Sequence, residues 1–292
     1  MVAVIGAAGN VGFSTSAALR QAGVPVKAVL RDVGKAVRLN ELGCEVGVAD
    51  LQNIGELSQA ISNADAVQVI LPLSPQAPDP AADLRRSGES IIKALEKARP
   101  RRVLVISDYG AHVSEDIGMP SVFHEFEAQF RQLGGEKIIL RSAEHMHNWS
   151  RSIPPALESG VMPSFQDPVE MTQPTIAAQD LGRISAELLQ RPATKGVLQI
   201  VHAEGPSRYS AADVAATLTQ LSGRAIRAEA VPRAAWQQVL EQRMPASLVS
   251  LLIKANDAKN KGGLVEAEPN VGEVIRGTTE LIDALRPFIP QR

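Results

Sequence analysis

Three glycines stand three residues apart near the start of the chain: Gly6, Gly9 and Gly12, in the stretch VIGAAGNVG from Val4 to Gly12. An apolar run precedes them and a helix-like stretch follows. Free backbone N–H groups and the positive end of a helix then face outward, which makes such a turn an anion site. The first glycine permits the tight bend, the second lets a pyrophosphate approach the backbone, and the third permits close helix–strand packing. Gly6, Gly9 and Gly12 suit these roles in that order, with Ala8, Asn10 and Val11 completing the cradle. The spacing is G-x-x-G-x-x-G rather than the common G-x-G-x-x-G, but the strand–turn–helix setting the motif needs is present. A dinucleotide is the expected ligand.

The next apolar run ends in AVLRD. An acidic residue at the end of that strand would accept hydrogen bonds from the ribose 2′-hydroxyl of NAD. Arg31 stands there instead, and a guanidinium suits a 2′-phosphate through charge and bidentate geometry. NADP(H) is therefore expected in preference to NAD(H). Asp32 is adjacent, and if it faced the ribose instead the preference would reverse.

Other chemistries find little footing. His145 and His147 alternate, so both would point one way on a strand, but Glu144 is their only acidic neighbour and no metal site is expected. No G-x-S-x-G elbow and no P-loop occurs. Tyr109, one of two tyrosines, stands at the end of an apolar run, where ligands bind in open α/β sheets.

The elements that must position these residues are legible in the first half. VAVIG, VKAVLR, CEVGVAD, AVQVILPL, RVLVIS and KIILRS are nearly continuous apolar runs rich in β-branched residues, as parallel strands buried on both faces require. Helical patterns lie between them; in DLRRSGESIIKALEKA, Ile91, Ile92, Leu95 and Ala98 share one face. Repeated strand–helix–strand units imply an α/β fold, a doubly wound parallel Rossmann sheet with right-handed crossovers. After Arg141 the pattern loosens into proline-rich sequence. DLGRISAELLQR then reads as a helix with Asp180 as its N-cap, followed by a strand GVLQIVHA, a helix SAADVAATLTQLSG and a strand IRAEAVP. Residues 1–150 are expected to form the nucleotide-binding domain and 151–292 a smaller α/β lobe, with the segment near 175–192 packing back on the first domain.

The 292 residues are 45% hydrophobic and 21% charged, ordinary globular composition. A net charge of −2 offers no electrostatic case for nucleic acid or membrane as a partner. The single cysteine, Cys44, excludes an intrachain disulfide and reads as a small buried thiol. No basic leader precedes the first apolar run, and no run approaches the roughly 20 apolar residues that span a bilayer. A cytoplasmic protein is expected.

Taken in order, GAAGNVG, LRD, VADL at Val48–Leu51, SDYGAH at Ser107–His112, HEFEAQFRQLGGEKIILRSAEHMHNW at His124–Trp149, IAAQDLGRISAELL and GPSRYSAADVAATLTQLSGRAIRAEAVPRAAW make the chain resemble the NmrA-like branch of atypical short-chain dehydrogenases/reductases over nearly its whole length. The resemblance implies further sites. Asp50 and Leu51 would border the adenine, and Leu71 and Pro72 would line the cofactor. Ser107, Tyr109 and Gly110 would lie near the nicotinamide. His124 and Glu127 match the family's H-x-x-E helix, with Asn148 and Trp149 beyond the sixth strand.

Catalysis is less legible. Standard short-chain dehydrogenases use Tyr-x-x-x-Lys, in which the lysine lowers the tyrosine pKa; the residue four beyond Tyr109 is Val113. A related plant branch uses a lysine just before the H-x-x-E helix, and SEDIGMPSVF contains none. A quinone acceptor would need no strong protein acid, so the expected activity is NADPH-dependent transfer of hydride to a quinone or similar small electrophile. Tyr109, His112 and His124 are the candidates for positioning or proton supply. The alternative is an NADP(H)-binding redox sensor without turnover, acting through a protein partner.

Overall fold

The computed structural model describes residues 1–192 and 198–290. Its first half alternates strand and helix: β1 Val2–Ile5, α1 Asn10–Gln21, β2 Val26–Leu30, α2 Val37–Glu41, β3 Glu45–Val48, α3 Ile54–Ile61, β4 Ala66–Ile70, α4 Pro80–Ala98, β5 Arg102–Asp108, α5 Met119–Phe130 and β6 Glu136–Ser142. The six apolar runs of the sequence are these six strands. Their continuous hydrophobicity has the expected cause, since β1, β4 and β5 are covered on both faces.

The later half contributes β7 Glu144–His145, α6 Ile153–Ser159, β8 Val161–Ser164, β9 Gln173–Ile176, α7 Ala178–Gln190, β10 Leu198–Glu204, β11 Arg208–Tyr209, α8 Ala211–Ser222, β12 Arg227–Ala230, α9 Trp236–Glu241, α10 Ala246–Lys261, β13 Glu273–Arg276 and α11 Leu281–Leu285. Gly196 and Val197 of the expected strand GVLQIVHA lie outside the described residues. The expected division at residue 150 is crossed by the main sheet. That sheet has eight parallel strands in the order β13-β10-β6-β5-β4-β1-β2-β3, so two strands from beyond residue 150 extend it. The order reverses at β1, which pairs with β2 on one side and β4 on the other. Ligands bind in open α/β sheets at such a switch point.

Two apolar layers flank the sheet. One holds Val4, Leu19, Ile138, Leu181 and Leu188 and joins α1 and α7 to the sheet. The other holds Ile5, Leu57, Ile91, Phe126 and Phe130, beneath α3, α4 and α5. A third cluster, around Met146, Met162, Val214, Leu218 and Leu285, is the core of the later segment. α7 packs along α1, and the approach is close: a Cβ on Gly182 would fall 2.5 Å from the Cβ of Ser14. Asp180 does not cap α7. Ala177 holds that position, while the Asp180 carboxylate is buried in the first turn and accepts the backbone N–H groups of Thr278 and Thr279 at 3.0 and 2.8 Å. Capping preference reflects only local geometry, and here a distant loop with unpaired N–H groups claims the carboxylate.

α10 crosses from the later segment to the mouth of the first. A Cβ on Gly118, at φ +78°, would sit 2.1 Å from the Leu251 carbonyl, so the loop before α5 and the middle of α10 touch backbone to backbone. Leu251 completes the apolar layer beneath α4 and α5. This contact fixes where the last turn of α10 ends. Among the described residues, no helix is long and apolar enough to cross a membrane.

Candidate active site

The glycine turn follows β1 at the switch point. Gly6 takes φ +81°, which a Cβ would strain, and its neighbour across the sheet is Ile70 at the end of β4. Gly12 is buried against the turn: a Cβ there would lie 2.4 Å from the Gly6 carbonyl, so only glycine lets α1 start this close to β1. Gly9 differs. It is exposed, its φ and ψ are ordinary, and a Cβ would meet only the Gly6 carbonyl at 3.5 Å. Its lack of a side chain serves the space outside the fold. No side chain caps α1 and no acidic residue lies in its first turn. Ala8 and Asn10 are exposed beside Gly9, and Val11 is buried beneath. A backbone cradle with an uncapped positive helix end is what a pyrophosphate requires, and the residues present fit one.

Arg31 is exposed just beyond β2 and donates a hydrogen bond to Ser74 Oγ at 2.9 Å, across the top of the switch point. Asp32 turns to a local task, accepting the Gly34 N–H at 2.9 Å as the cap of a short 3-10 turn. Asp50 also makes a local turn, accepting the Gln52 N–H, while Leu51 is buried.

Beyond the turn, at the C-terminal ends of β4, β5 and β6, lies a cavity of about 310 Å³. Leu71, Ser107 and Tyr109 line it, as do Phe123 on α5 and Leu252 and Ala255 on α10. Asp108, Glu144, His145 and Lys259 bring titratable groups to the same wall. A larger surface depression, about 790 Å³, is bordered by Pro154, Leu157, Arg224 and Ile289, far from the glycine turn. Position at the switch point, and not size, singles out the cavity.

The expected site residues fall into two groups. Leu71, Ser107 and Tyr109 reach the cavity; Pro72 follows Leu71 but is not among its lining residues. The Ser107 hydroxyl donates to Glu127 Oε1 at 2.6 Å. Tyr109 is fully buried, its ring edge-on to His202 at 5.8 Å, and its hydroxyl has no hydrogen-bond partner among the described residues. Burial, reinforced by Glu204, pushes its pKa far up, so the phenol stays neutral. His112 is half-buried away from the cavity lining; burial and the Arg141 charge hold its imidazole below the usual range. His124 is exposed on α5, with Nδ1 2.8 Å from the Ala111 carbonyl, a contact that ties α5 to the loop after β5. Of the three proposed catalytic side chains, only Tyr109 borders the cavity. His145 and His147 stand 5.1 Å apart between ring centres, and among the described residues no group of three or more His, Cys, Asp or Glu could hold a metal ion.

Behind this edge lies a charged network around Glu127. Arg141 pairs with Glu127 and Glu268, and Glu268 N–H donates to His202 Nε2 at 3.1 Å. In the cavity, Lys259 Nζ meets Glu144 Oε2 at 2.5 Å. Burial opposes the Glu144 charge, yet the Lys259 ammonium outweighs it and holds the carboxylate below its ordinary range. Burial pushes the Asp108 carboxyl up to about 7, with Glu144 adding to the rise and Lys259 offsetting part of it. Burial, with His147, lowers His145 to about 4, so its imidazole is neutral at pH 7. Asp108 carried a readable signal, a carboxylate between Ser107 and Tyr109 at a strand's end. Lys259 carried none.

Residues 1–283 match the NmrA-like family. An NAD(P)H azoreductase from Xenophilus azovorans is 26% identical over 255 residues, 86% of this chain and 85% of that protein. Among solved structures, the NADPH complex of an NADPH-dependent quinone oxidoreductase from Escherichia coli superposes with a TM-score of 0.79 at 21% identity, covering 98% of this chain and 99% of that one. The NADP(H) complex of a triphenylmethane reductase from Citrobacter sp. gives 0.77 at 18% identity, covering 99% of each.

Proposed function

This chain belongs to the NmrA-like family, and we propose that it is an NADPH-dependent oxidoreductase reducing a quinone or a similar small electrophile, azo compounds included. The observation that carries this reading is the cavity at the ends of β4–β6, which adjoins the glycine cradle through Ile70 and joins apolar walls to titratable groups. A flat unsaturated acceptor suits the lining by Leu71, Phe123 and Leu252, since apolar contact holds such a ring without spending a charged group on it. The azoreductase and quinone oxidoreductase likenesses support the same class.

When bound, reduced nicotinamide supplies a hydride equivalent. The chain's own part begins with the Gly9 cradle, where the backbone and the α1 N-terminus would hold the pyrophosphate. Arg31, which has no carboxylate partner among the described residues while Asp32 caps its own turn, suits a 2′-phosphate, which supports NADPH over NADH. Leu71 and Tyr109 line the space that would take the nicotinamide ring, where Tyr109 contributes a neutral surface and not a base. α10 supplies Leu252, Ala255 and Lys259 to the far side of the cavity.

The test is NADPH oxidation with and without benzoquinone or an azo dye. Acceptor-dependent turnover that disappears in Gly9→Trp supports the enzyme. Tight NADPH binding with no turnover across several acceptors would overturn it and favour a redox sensor acting through a protein partner.

A further inference from the structure

We propose that Asp108 is the acid of this cavity: it hands a proton to the anionic atom created when a small acceptor is reduced there, and the Glu144–Lys259 pair fixes the charge around it. The proposal rests on the reductase reading above. It starts from what the fold brings together. Asp108 ends β5, directly after Ser107 and opposite Ser142 of β6, and its half-buried side chain lines the cavity wall. Glu144 reaches the same wall from β7 and Lys259 from the last turn of α10. Lys259 and Glu144 are the charges that act on Asp108, the neutral His145, Tyr109 and the cation Arg151 also line the cavity, and the Tyr109 backbone N–H adds a dipole.

The arrangement answers a gap in the sequence. The tyrosine–lysine pair is missing, Tyr109 is too weak an acid to serve, and His112 and His124 do not line the cavity. Lys259 is a cation in the right place, but its ammonium is locked to Glu144. That pair is nearly neutral seen from a distance, so it leaves burial to dominate at Asp108 and keeps a carboxyl protonated near neutral pH. A general acid works best with a pKa near the working pH.

For an azo acceptor the balance is simple. One nitrogen gains the hydride and forms an N–H bond; the electron pair of the N–N π bond moves to the other nitrogen. That nitrogen takes the proton as the Asp108 O–H bond breaks, and the carboxylate left behind is reprotonated from water. A reduced quinone leaves a phenolate-type oxygen, a much weaker base, which can wait for water. Asp108 should therefore matter far more for azo than for quinone reduction.

The experiment compares full-length wild type, Asp108→Asn and Asp108→Glu with NADPH and either 1,4-benzoquinone or a water-soluble azobenzene, between about pH 5 and 9. Azo reduction by wild type is expected to fall about tenfold per pH unit above about 7. Asp108→Asn should lower it by about 100-fold or more and quinone reduction by less than about tenfold, with Asp108→Glu restoring part of the loss. A second readout needs no turnover: carbon-13 titration of aspartate-labelled protein without nucleotide should show one carboxyl with a midpoint near 7 that is absent in Asp108→Asn and moves up in Lys259→Met. Equal loss for both acceptors, or a midpoint in the ordinary carboxylate range, overturns the role of Asp108 and leaves the reductase reading standing. No NADPH consumption with any acceptor overturns both.

Discussion

Arg141 grips Glu127 with two parallel hydrogen bonds, Nε to Oε1 at 2.9 Å and Nη2 to Oε2 at 2.7 Å, and both side chains are shut away from solvent. The pair joins β6 to α5 directly beneath the cavity edge, and Ser107 adds a third bond to the same carboxylate. A charge pair so deeply buried costs much to desolvate, but removing its buried carboxylate costs more, because Arg141 is then left with only the partly exposed Glu268. Glu127→Ala is expected to lower unfolding stability by about 3–5 kcal/mol, read from urea midpoints with an unchanged slope. Glu268→Ala should cost less, since Glu268 is partly exposed and Arg141 keeps Glu127. A loss below about 1 kcal/mol for Glu127→Ala would contradict this account.

Gly9 and Gly12 are expected to fail in opposite ways. Gly12→Ala places a methyl 2.4 Å from the Gly6 carbonyl and should destabilise the fold by about 1–3 kcal/mol. Gly9→Val meets little in the protein but is a poor N-cap for α1, so it should cost about 0.5–1 kcal/mol while NADPH affinity falls at least about tenfold. Thermal melts and NADPH titrations of the two variants separate the roles. Equal destabilisation would show that the turn serves packing alone.

Arg31→Ala should weaken NADPH binding by roughly 10–100-fold, the worth of a charge-assisted hydrogen bond. NADH binding should barely change, since Arg31 would then face a 2′-hydroxyl with no charge to meet. Dissociation constants for both nucleotides on both proteins decide it. Parallel loss would return Arg31 to an ordinary strand-end charge tied to Ser74.

Two cavity groups should shape stability against pH from opposite sides. His145 is lowered from 6.5 to about 4 by burial, so between those values the unfolded chain binds the extra proton. Its contribution is present above about 6.5 and is lost as pH falls to about 4; in His145→Gln that part of the acid loss should vanish. Asp108 is raised from 3.8 to about 7, so here the folded chain binds the extra proton. Its contribution is present below about 3.8 and is lost as pH rises to about 7, and Asp108→Asn should gain on wild type across that rise. Denaturant midpoints from about pH 4 to 8 test both. Variants that track wild type throughout would place these groups in contact with water.

How much was legible follows from the range of each interaction. The six strands of the first half, the glycine turn and the Rossmann class could be read directly, because parallel strands buried on both faces leave continuous apolar runs and a tight turn leaves glycines at fixed spacing. Those are local signals, complete within about 15 residues. Asp180 shows where local reading misleads: helix-start chemistry suggested a cap, and a loop 98 residues away claimed its carboxylate.

The cavity is of the other kind. β10 and β13 joined the main sheet from beyond residue 150, a placement that no local pattern distinguishes from a separate lobe. Lys259 meets Glu144 across 115 residues of chain, held there by α10 lying on Gly118. The weak acidity of Tyr109 and the raised carboxyl of Asp108 are properties of their surroundings and not of their residue types. The first six strands, the glycine turn and the family could be read along the chain, because these arise from sequence neighbours. Which titratable groups share the cavity, and which protons they hold, emerged from the folded arrangement, because burial and charge act through space.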